Sequence, residues 1–414
     1  MNAPVTPHAL DDPWTIPLDQ LDVADPQLFQ DDVWPDWFAR LRRDDPVHFH
    51  RESRFGPFWS VTKYADIMTL ETTPSVFSSA SGITLADQEA QYRLPMFIAM
   101  DPPKHDEQRR VVAPIMFPEH LRKLADTIRQ RVVGILDGLP RNEPFDWVER
   151  VSIELTTQML ATLFDYPQER RRELTRWSDI ATANLTAPDA PVRTEEERFN
   201  ELQKMGAAMM ELWNERVNAP PRPDLISMLA HGEATRHMDP LEFTGNCVLL
   251  IVGGNDTTRN SISAGVWALS RHPGEYRKLR DNPGLIPSMV PEIIRWHTPI
   301  THMRRTAVAD YALAGKTIRA GDKVAMWYIS ANRDTDVIEQ ADRFIIDRAR
   351  PRQHLSFGFG THRCLGNRLA ELQLTILWEE IMKRFPVIEG LEPPRRLYAV
   401  FVHGITSMMV RIPG

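Results

Sequence analysis

The sequence predicts a mainly α-helical fold with small β-sheets at its edge, and three observations carry that expectation. From residue 101 onward, apolar residues recur at helical spacing through successive segments. One of these, opened by Asp239-Pro240-Leu241-Glu242 and stopped by Pro273, runs for roughly 33 residues, on the order of 50 Å, enough to cross the whole molecule. Strand-like runs, by contrast, are short and confined to the stretches around residues 46–62 and after residue 306.

Taken in order, residues 1–35 are acidic and punctuated by proline without a sustained period, and are expected to run over the surface as an N-terminal arm. A short helix over 34–43 precedes PVHFH and FWSVT, two strand-like runs split by Gly56-Pro57 that read as a hairpin. A helix over 64–72 follows, and then a long loop over 80–100, of the kind that often walls a pocket. Helices are expected over 101–116, 118–138, 148–164, 168–188, 194–217 and 222–230. Asp239 caps the long helix, with Pro240 at its first turn and Glu242 three residues after the cap. Strands return at 306–313, at 317–318 with 323–329, and at 398–410. No internal repeat or low-complexity linker divides the chain, so residues 1–414 are expected to form one domain.

Composition narrows the function classes. At 42% hydrophobic, 25% charged and net charge −7, the chain gives no reason to expect nucleic acid or an anionic membrane surface as partner. The two cysteines, Cys247 and Cys364, are too few for a disulfide framework or an iron–sulfur cluster and suit a reducing compartment. No stretch approaches the roughly 18 apolar residues of a spanning helix, and MNAPVTPHALDDPW lacks the order of a signal peptide, so a cytoplasmic protein is expected.

The run FGFGTHRCLG, residues 357–366, concentrates the chemistry. It places Cys364 on a glycine-rich turn ahead of a helical stripe formed by Leu365, Leu369, Leu372, Ile376 and Ile381. A sulfur at a helix N-terminus meets free N–H donors and the positive end of the dipole, which favours a thiolate or a metal ligand. Gly358, Gly360 and Gly366 permit close approach to something flat and bulky. A structural cysteine is the plain alternative. A zinc half-site from His362 and Cys364 lacks a second ligand pair, and Arg363 stands where a G-x-G-x-x-G fingerprint needs its third glycine.

The long helix carries VGGNDTTRN at its middle. Gly253 and Gly254 each cost about 1 kcal/mol relative to alanine in a helix interior, so they either admit a neighbouring helix or cut a notch beside Asp256 and Thr257. Glu292 and Arg295 lie at i, i+3 on one helix face, a spacing that means little on an exposed surface. His105 and Arg109 share another face, where they can grip an anion or stand as solvated charges. Cys247 carries no motif and reads as a small core residue.

Together these motifs resemble the soluble bacterial cytochromes P-450. F-x-x-G-x-H-x-C-x-G matches the heme-binding signature at Phe357, Gly360, His362, Cys364 and Gly366, G-G-x-D-T-T matches the oxygen-binding groove, and E-x-x-R matches at Glu292 and Arg295. The resemblance implies a fold that holds heme b, iron protoporphyrin IX, between the long central helix and the cysteine-loop helix. Cys364 would be the axial metal ligand, with Phe357 and Gly358 against the ring. His105, Arg109, Arg305 and His362 would meet the propionates, leaving open which of Arg304 and Arg305 points inward. Thr257 would hydrogen-bond the dioxygen and Asp256 would gate protons as the second catalytic residue. Arg343 would close an ion-pair triad with Glu292 and Arg295.

Ile98, Leu249, Val252, Gly253, Thr301, Met303 and Phe401 would wall a substrate pocket; most are apolar, so a hydrophobic small molecule is expected. GGNDTTRNSISAG and RQHLSFGFGTHRCLGNRLAELQ look like the alkane-hydroxylating branch of the family. That likeness implies a monooxygenase acting on the terminal carbon of a medium-chain alkane or fatty acid; relatives accept terpenes. O2 and two electrons are needed, and without a flavin or nicotinamide motif these would come from a ferredoxin and its NAD(P)H-dependent reductase. Arg122, Lys123, Arg363 and Arg368 could dock that acidic partner, or be ordinary solvated charges. A partner-independent peroxygenase is disfavoured by the Asp256-Thr257 pair, and a heme sensor by the lack of any effector segment.

Overall fold

The computed structural model describes residues 12–414, so the first part of the N-terminal arm lies outside the described residues. The long helix, Pro240–Arg271, is the axis of a helical body. Asp239 caps it by accepting from the Leu241 and Glu242 N–H groups, and Pro273 opens the next helix, Pro273–Asp281. Around it pack Glu154–Phe164, Arg172–Thr182, Glu195–Val217, Ile286–His297 and the cysteine-loop helix Asn367–Arg384, which also lies along Pro118–Asp137. Their apolar stripes converge on one large core that holds Phe164, Phe243, Ile262, Leu377 and Trp378. Burial of such faces, more than propensity, holds helices of this length in place.

Beside the body lies a five-stranded sheet in the order Val47–His50, Phe58–Val61, Lys323–Met326, Met303–Ala307, Phe77–Ser78. The first pair is the expected hairpin, with Val47 opposite Val61; Phe58–Val61 runs parallel to Lys323–Met326.

Several expectations need correction. The described part of the arm is not a surface strap. Leu21, Val23, Ala24, Leu28 and Phe29 are fully buried, in a second core with Phe58, Trp327 and Ile329. Prolines and aspartates interrupt these apolar residues, so their burial follows no period. The 306–313 strand is two, Met303–Ala307 and Tyr311–Leu313, because the chain turns between them. The strand expected to reach 329 stops at Met326, and Tyr328–Ala331 is a helical turn. Of 398–410, only Ile405–Ser407 and Met409–Arg411 are strands. The 168–188 helix ends at Thr182 and leaves a loop, and that over 101–116 is regular only across Lys104–Val112.

Candidate active site

A cavity of about 1120 Å³ lies between the long helix and the cysteine loop. Gly358 and Gly360 make that loop possible: both have φ of +63°, and a Cβ on Gly360 would stand 2.4 Å from the Glu71 carbonyl. The Cys364 N–H donates to the Phe357 carbonyl at 2.7 Å, folding the loop back on itself. The Cys364 side chain faces cavity space while protein surrounds it on the other sides. Burial raises its thiol above the ordinary value, and the Gly366 and Asn367 N–H groups with Arg109 and Arg363 offset this only in part. The donors that favour a thiolate are therefore in place, but burial outweighs them until a metal supplies positive charge.

One corner of the cavity is cationic. Here lie His105, Arg109, Arg305 and His362, with Phe357 and Gly358 beside them. The two imidazoles sit 4.2 Å apart, and His105 Nε2 and His362 Nδ1 are buried without a hydrogen-bond partner. Their other nitrogens are engaged, His105 Nδ1 with Asp106 at 2.7 Å and His362 Nε2 with Ser79 Oγ at 3.0 Å. Burial, then the charges of Arg305, His105 and Arg109, pushes His362 down to about 2. Orphaned nitrogens beside two guanidiniums call for an anion. Beside the Cys364 sulfur, in a cavity whose opposite wall is mostly apolar, this set fits heme b with its carboxylates in that corner. Among the described residues no three His, Cys, Asp or Glu side chains gather to ligate a metal, so a zinc site at His362 and Cys364 lacks partners.

Strand alternation separates the adjacent arginines. Arg305 lines the cavity, donating to Glu71 Oε2 at 3.0 Å, while Arg304 points the other way and pairs with Asp87 at 2.6 Å. Glu71 also accepts from the Tyr328 hydroxyl. Sequence reasoning missed Glu71, because nothing local marks a carboxylate that becomes important only when distant elements meet around it.

On the opposite wall stand Leu249, Val252, Gly253 and Thr257. The two glycines divide the alternatives between them: a Cβ on Gly254 would meet Leu160 Cδ2 at 2.8 Å, whereas nothing lies within 4 Å of one on Gly253. Gly254 admits a neighbouring helix and Gly253 is the notch. The helix stays unbroken through both, and Thr257 Oγ1 donates to the Gly253 carbonyl at 2.9 Å.

Asp256 turns away from the cavity and is fully buried. Its Oδ1 accepts from Arg259 Nη2 at 2.9 Å and Asn255 Nδ2 at 3.0 Å, and the Thr182 hydroxyl lies 3.0 Å from Oδ2. Arg259 also pairs at 2.9 Å with Asp179, whose side chain is 44% exposed. Thr182 itself lines the cavity, so Asp256 sits between a solvent-facing carboxylate and the pocket.

Ile98, Met303 and Phe401 complete the wall. Thr301 does not: its hydroxyl donates to the Val400 carbonyl and its N–H to Phe401, so it braces the turn, and its neighbour Ile300 faces the cavity. Arg343 is likewise corrected. It lends only its carbonyl to Arg295, and Arg348 joins Glu292 at 2.9 Å as the third member. Beyond the expected residues, the cavity takes in Gln27 and Gln30 of the N-terminal segment and Asn184 of the loop after Thr182. Neither has periodicity that could have marked it.

The described residues hold no helix long and apolar enough to cross a membrane. A family model described as cytochrome P-450 matches residues 284–407. Linalool 8-monooxygenase of Pseudomonas putida is 35% identical over 95% of this chain and 99% of its own. The methyl-branched lipid omega-hydroxylase of Mycobacterium tuberculosis is 33% identical over 95% and 96%. The solved structure of CYP153D17 from Sphingomonas sp. PAMC 26605 is 50% identical, superposes with a TM-score of 0.91, and is matched over 96% of this chain and all of its own. With whole-length likeness added to a cysteine loop and a cationic corner that suit heme b, the chain belongs to the cytochrome P-450 family and is a heme-dependent monooxygenase.

Proposed function

We propose that this monooxygenase hydroxylates the terminal carbon of a medium-chain alkane or fatty acid, in the cytoplasm, with electrons from a ferredoxin and its reductase. The observation that carries the reading is the apolar wall of Leu249, Val252, Ile98, Met303 and Phe401 closing on the cavity that Cys364 and Thr257 share. Such a wall binds by removing apolar surface from water and offers few groups to orient an oxygenated ligand. The likeness of GGNDTTRNSISAG to the alkane-hydroxylating branch, and a relative named as an omega-hydroxylase, support the terminal position.

Cys364 would hold the heme iron, with Phe357 and Gly358 against the ring and His105, Arg109, Arg305 and His362 on its carboxylates. Bound there, heme supplies the activation of O2 that C–H hydroxylation requires. The chain's own residues handle protons and orientation. Thr257 spends its proton on the Gly253 carbonyl, which leaves its oxygen as an acceptor at the notch; rotation makes it a donor. Asp256 is the carboxylate of the proton path: it takes a proton from water when it swings off Arg259 toward the exposed Asp179 side, and on its return hands that proton to the Thr182 hydroxyl, 3.0 Å from Oδ2, at the cavity wall. Arg259 cannot carry the proton and acts as the fixed charge that orients both carboxylates. Arg122, Lys123, Arg363 and Arg368 are exposed and would form the docking face for an acidic ferredoxin.

The linalool 8-monooxygenase relative favours a second reading, in which the substrate is a terpene. A spectral-shift screen with octane, dodecanoic acid and limonene, followed by product analysis with ferredoxin, reductase and NADH, separates the two. Terminal alcohol from octane or a 12-hydroxy acid supports the first reading; oxidation of limonene alone favours the second. Undiminished turnover with hydrogen peroxide and no partner would replace both with a peroxygenase.

A further inference from the structure

The N-terminal segment borders the cavity as well as the core. Gln27 and Gln30, on the short helix Pro26–Gln30, lie in the cavity wall, while Phe29 packs inward on Trp327 at 6.4 Å between ring centres. Just beyond, Asp32 stands in left-handed backbone, φ 59°, a conformation that aspartate tolerates better than most residues. Its carboxylate accepts from Arg396 Nη2 at 2.5 Å and from Trp34 Nε1 at 3.2 Å.

Arg396 passes the connection on. Its Nη1 donates to His403 Nε2 at 3.2 Å, and since a guanidinium has only donors, Nε2 is the bare nitrogen. The His403 proton is then on Nδ1, which donates to the His297 carbonyl at 2.8 Å, and the two rings stack at 4.4 Å. The His403 N–H donates to Pro299 and the Leu397 N–H to Gly404. Arg396 and His403 thus stand at the two ends of a turn whose tip, Ala399, Val400 and Phe401, is cavity wall.

We propose that Asp32 is a positioning residue for specificity: through Arg396 and His403 it sets how far the 399–401 turn projects into the cavity, and so which carbon of an apolar chain is presented for oxidation. The proposal rests on the reading of the cavity as the site of an apolar chain. The Asp32 side chain is 43% exposed while Arg396 is 8% exposed, so loss of the carboxylate leaves a largely buried guanidinium held only by His403, and the effect falls first on the turn that both residues anchor.

The test uses the full heme-loaded chain, with Asp32→Ala, Arg396→Gln and the double variant. Hydrogen–deuterium exchange should rise several-fold at amides 397–404 and nowhere else, with the Soret band of the reduced carbon monoxide form unmoved. The ratio of terminal to subterminal alcohol from octane and from dodecanoic acid should fall by a similar factor in each single variant and no further in the double. Asp32→Asn, which keeps an acceptor and suits left-handed backbone, should recover part of both effects. Unchanged exchange at 397–404, exchange rising evenly through the chain, or additive changes in the ratio would overturn the proposal. If the unaltered enzyme oxidises neither probe, the substrate reading fails, while the exchange comparison still decides whether Asp32 holds the turn.

Discussion

Glu292 with Arg295, and Asp256 with Arg259, are acid–arginine pairs at the same i, i+3 spacing on two helices, and their surroundings make them opposites. Behind the cysteine loop, Glu292 and Arg295 are both fully buried. Every donor of Arg295 is taken, by the two Glu292 oxygens and by the carbonyls of Asn332, Ala341 and Arg343. Glu292 accepts in addition from Arg348 and the Ile345 N–H. Such a saturated network has one arrangement, with no oxygen or N–H of the pair left over to pass a proton on. On the long helix, Asp256 is as deeply buried, but Arg259 leads from it to the half-exposed Asp179, and Thr182 leads from it to the cavity. Spacing alone makes a pair; the fate of the remaining donors decides whether it is a bolt or a gate.

Substitutions in the two pairs should therefore differ in kind, and the largest effect belongs to the bolt. Arg295→Ala takes two of its charged bonds from the buried Glu292, leaving Arg348 as its one cationic partner, and strips the donor from the Asn332 and Ala341 carbonyls. Such a break in a buried ion-pair network costs about 3–5 kcal/mol. Folded yield and heme content, followed by absorbance and thermal unfolding, should collapse together. A variant that keeps normal heme content would show that the network is dispensable. Asp256→Asn preserves shape and should leave heme content intact while product formation falls on the order of 100-fold, the lower range for a lost proton-transfer group. Loss of heme instead of turnover would make Asp256 a second bolt. A smaller change, several-fold, is expected of Thr257→Ala: NADH and O2 use continue while less of each ends in alcohol. Unchanged coupling would remove Thr257 from proton handling.

The mildest test uses pH. His354 packs 5.5 Å from Phe357, and burial, followed by the charges of Arg295, Arg363 and Arg352, pushes it down to about 3. Between that value and an ordinary histidine's 6.5, the unfolded chain binds a proton that the folded chain refuses. Its contribution is thus intact above about pH 6.5 and erodes by roughly 1 kcal/mol per pH unit as pH falls toward 3. The melting temperature of the native enzyme should drop more steeply than that of His354→Gln over that window; parallel curves would mean that the imidazole is accessible to protons.

What the sequence discloses is what neighbours along the chain determine. The cysteine turn, the Asp239 cap and the Gly253-Gly254-Asn255-Asp256-Thr257 run are local patterns, legible because dihedral freedom and helical spacing act over a few residues. What it conceals depends on register and on distant contacts. Arg304 and Arg305 lie opposite Ala325 and Val324 in the sheet, and only that pairing sends one outward and the other into the cavity. Arg343 and Arg348 sit in the same stretch, and the turn between them selects the second. Thr301 and Ile300 alternate along extended chain, so a slip of one residue exchanges brace for wall. The arm hid for another reason: Leu21, Val23, Leu28 and Phe29 are buried by irregular backbone, to which periodicity is blind.

Both pairs flank the cavity in which we propose a sulfur–iron bond at Cys364, and that bond can be observed directly. The purified, reduced protein under carbon monoxide should show a Soret band moved strongly to the red, and Cys364→Ser should abolish that position even where heme is retained. An unshifted band in the native protein, or the shifted band persisting in Cys364→Ser, would contradict the assignment.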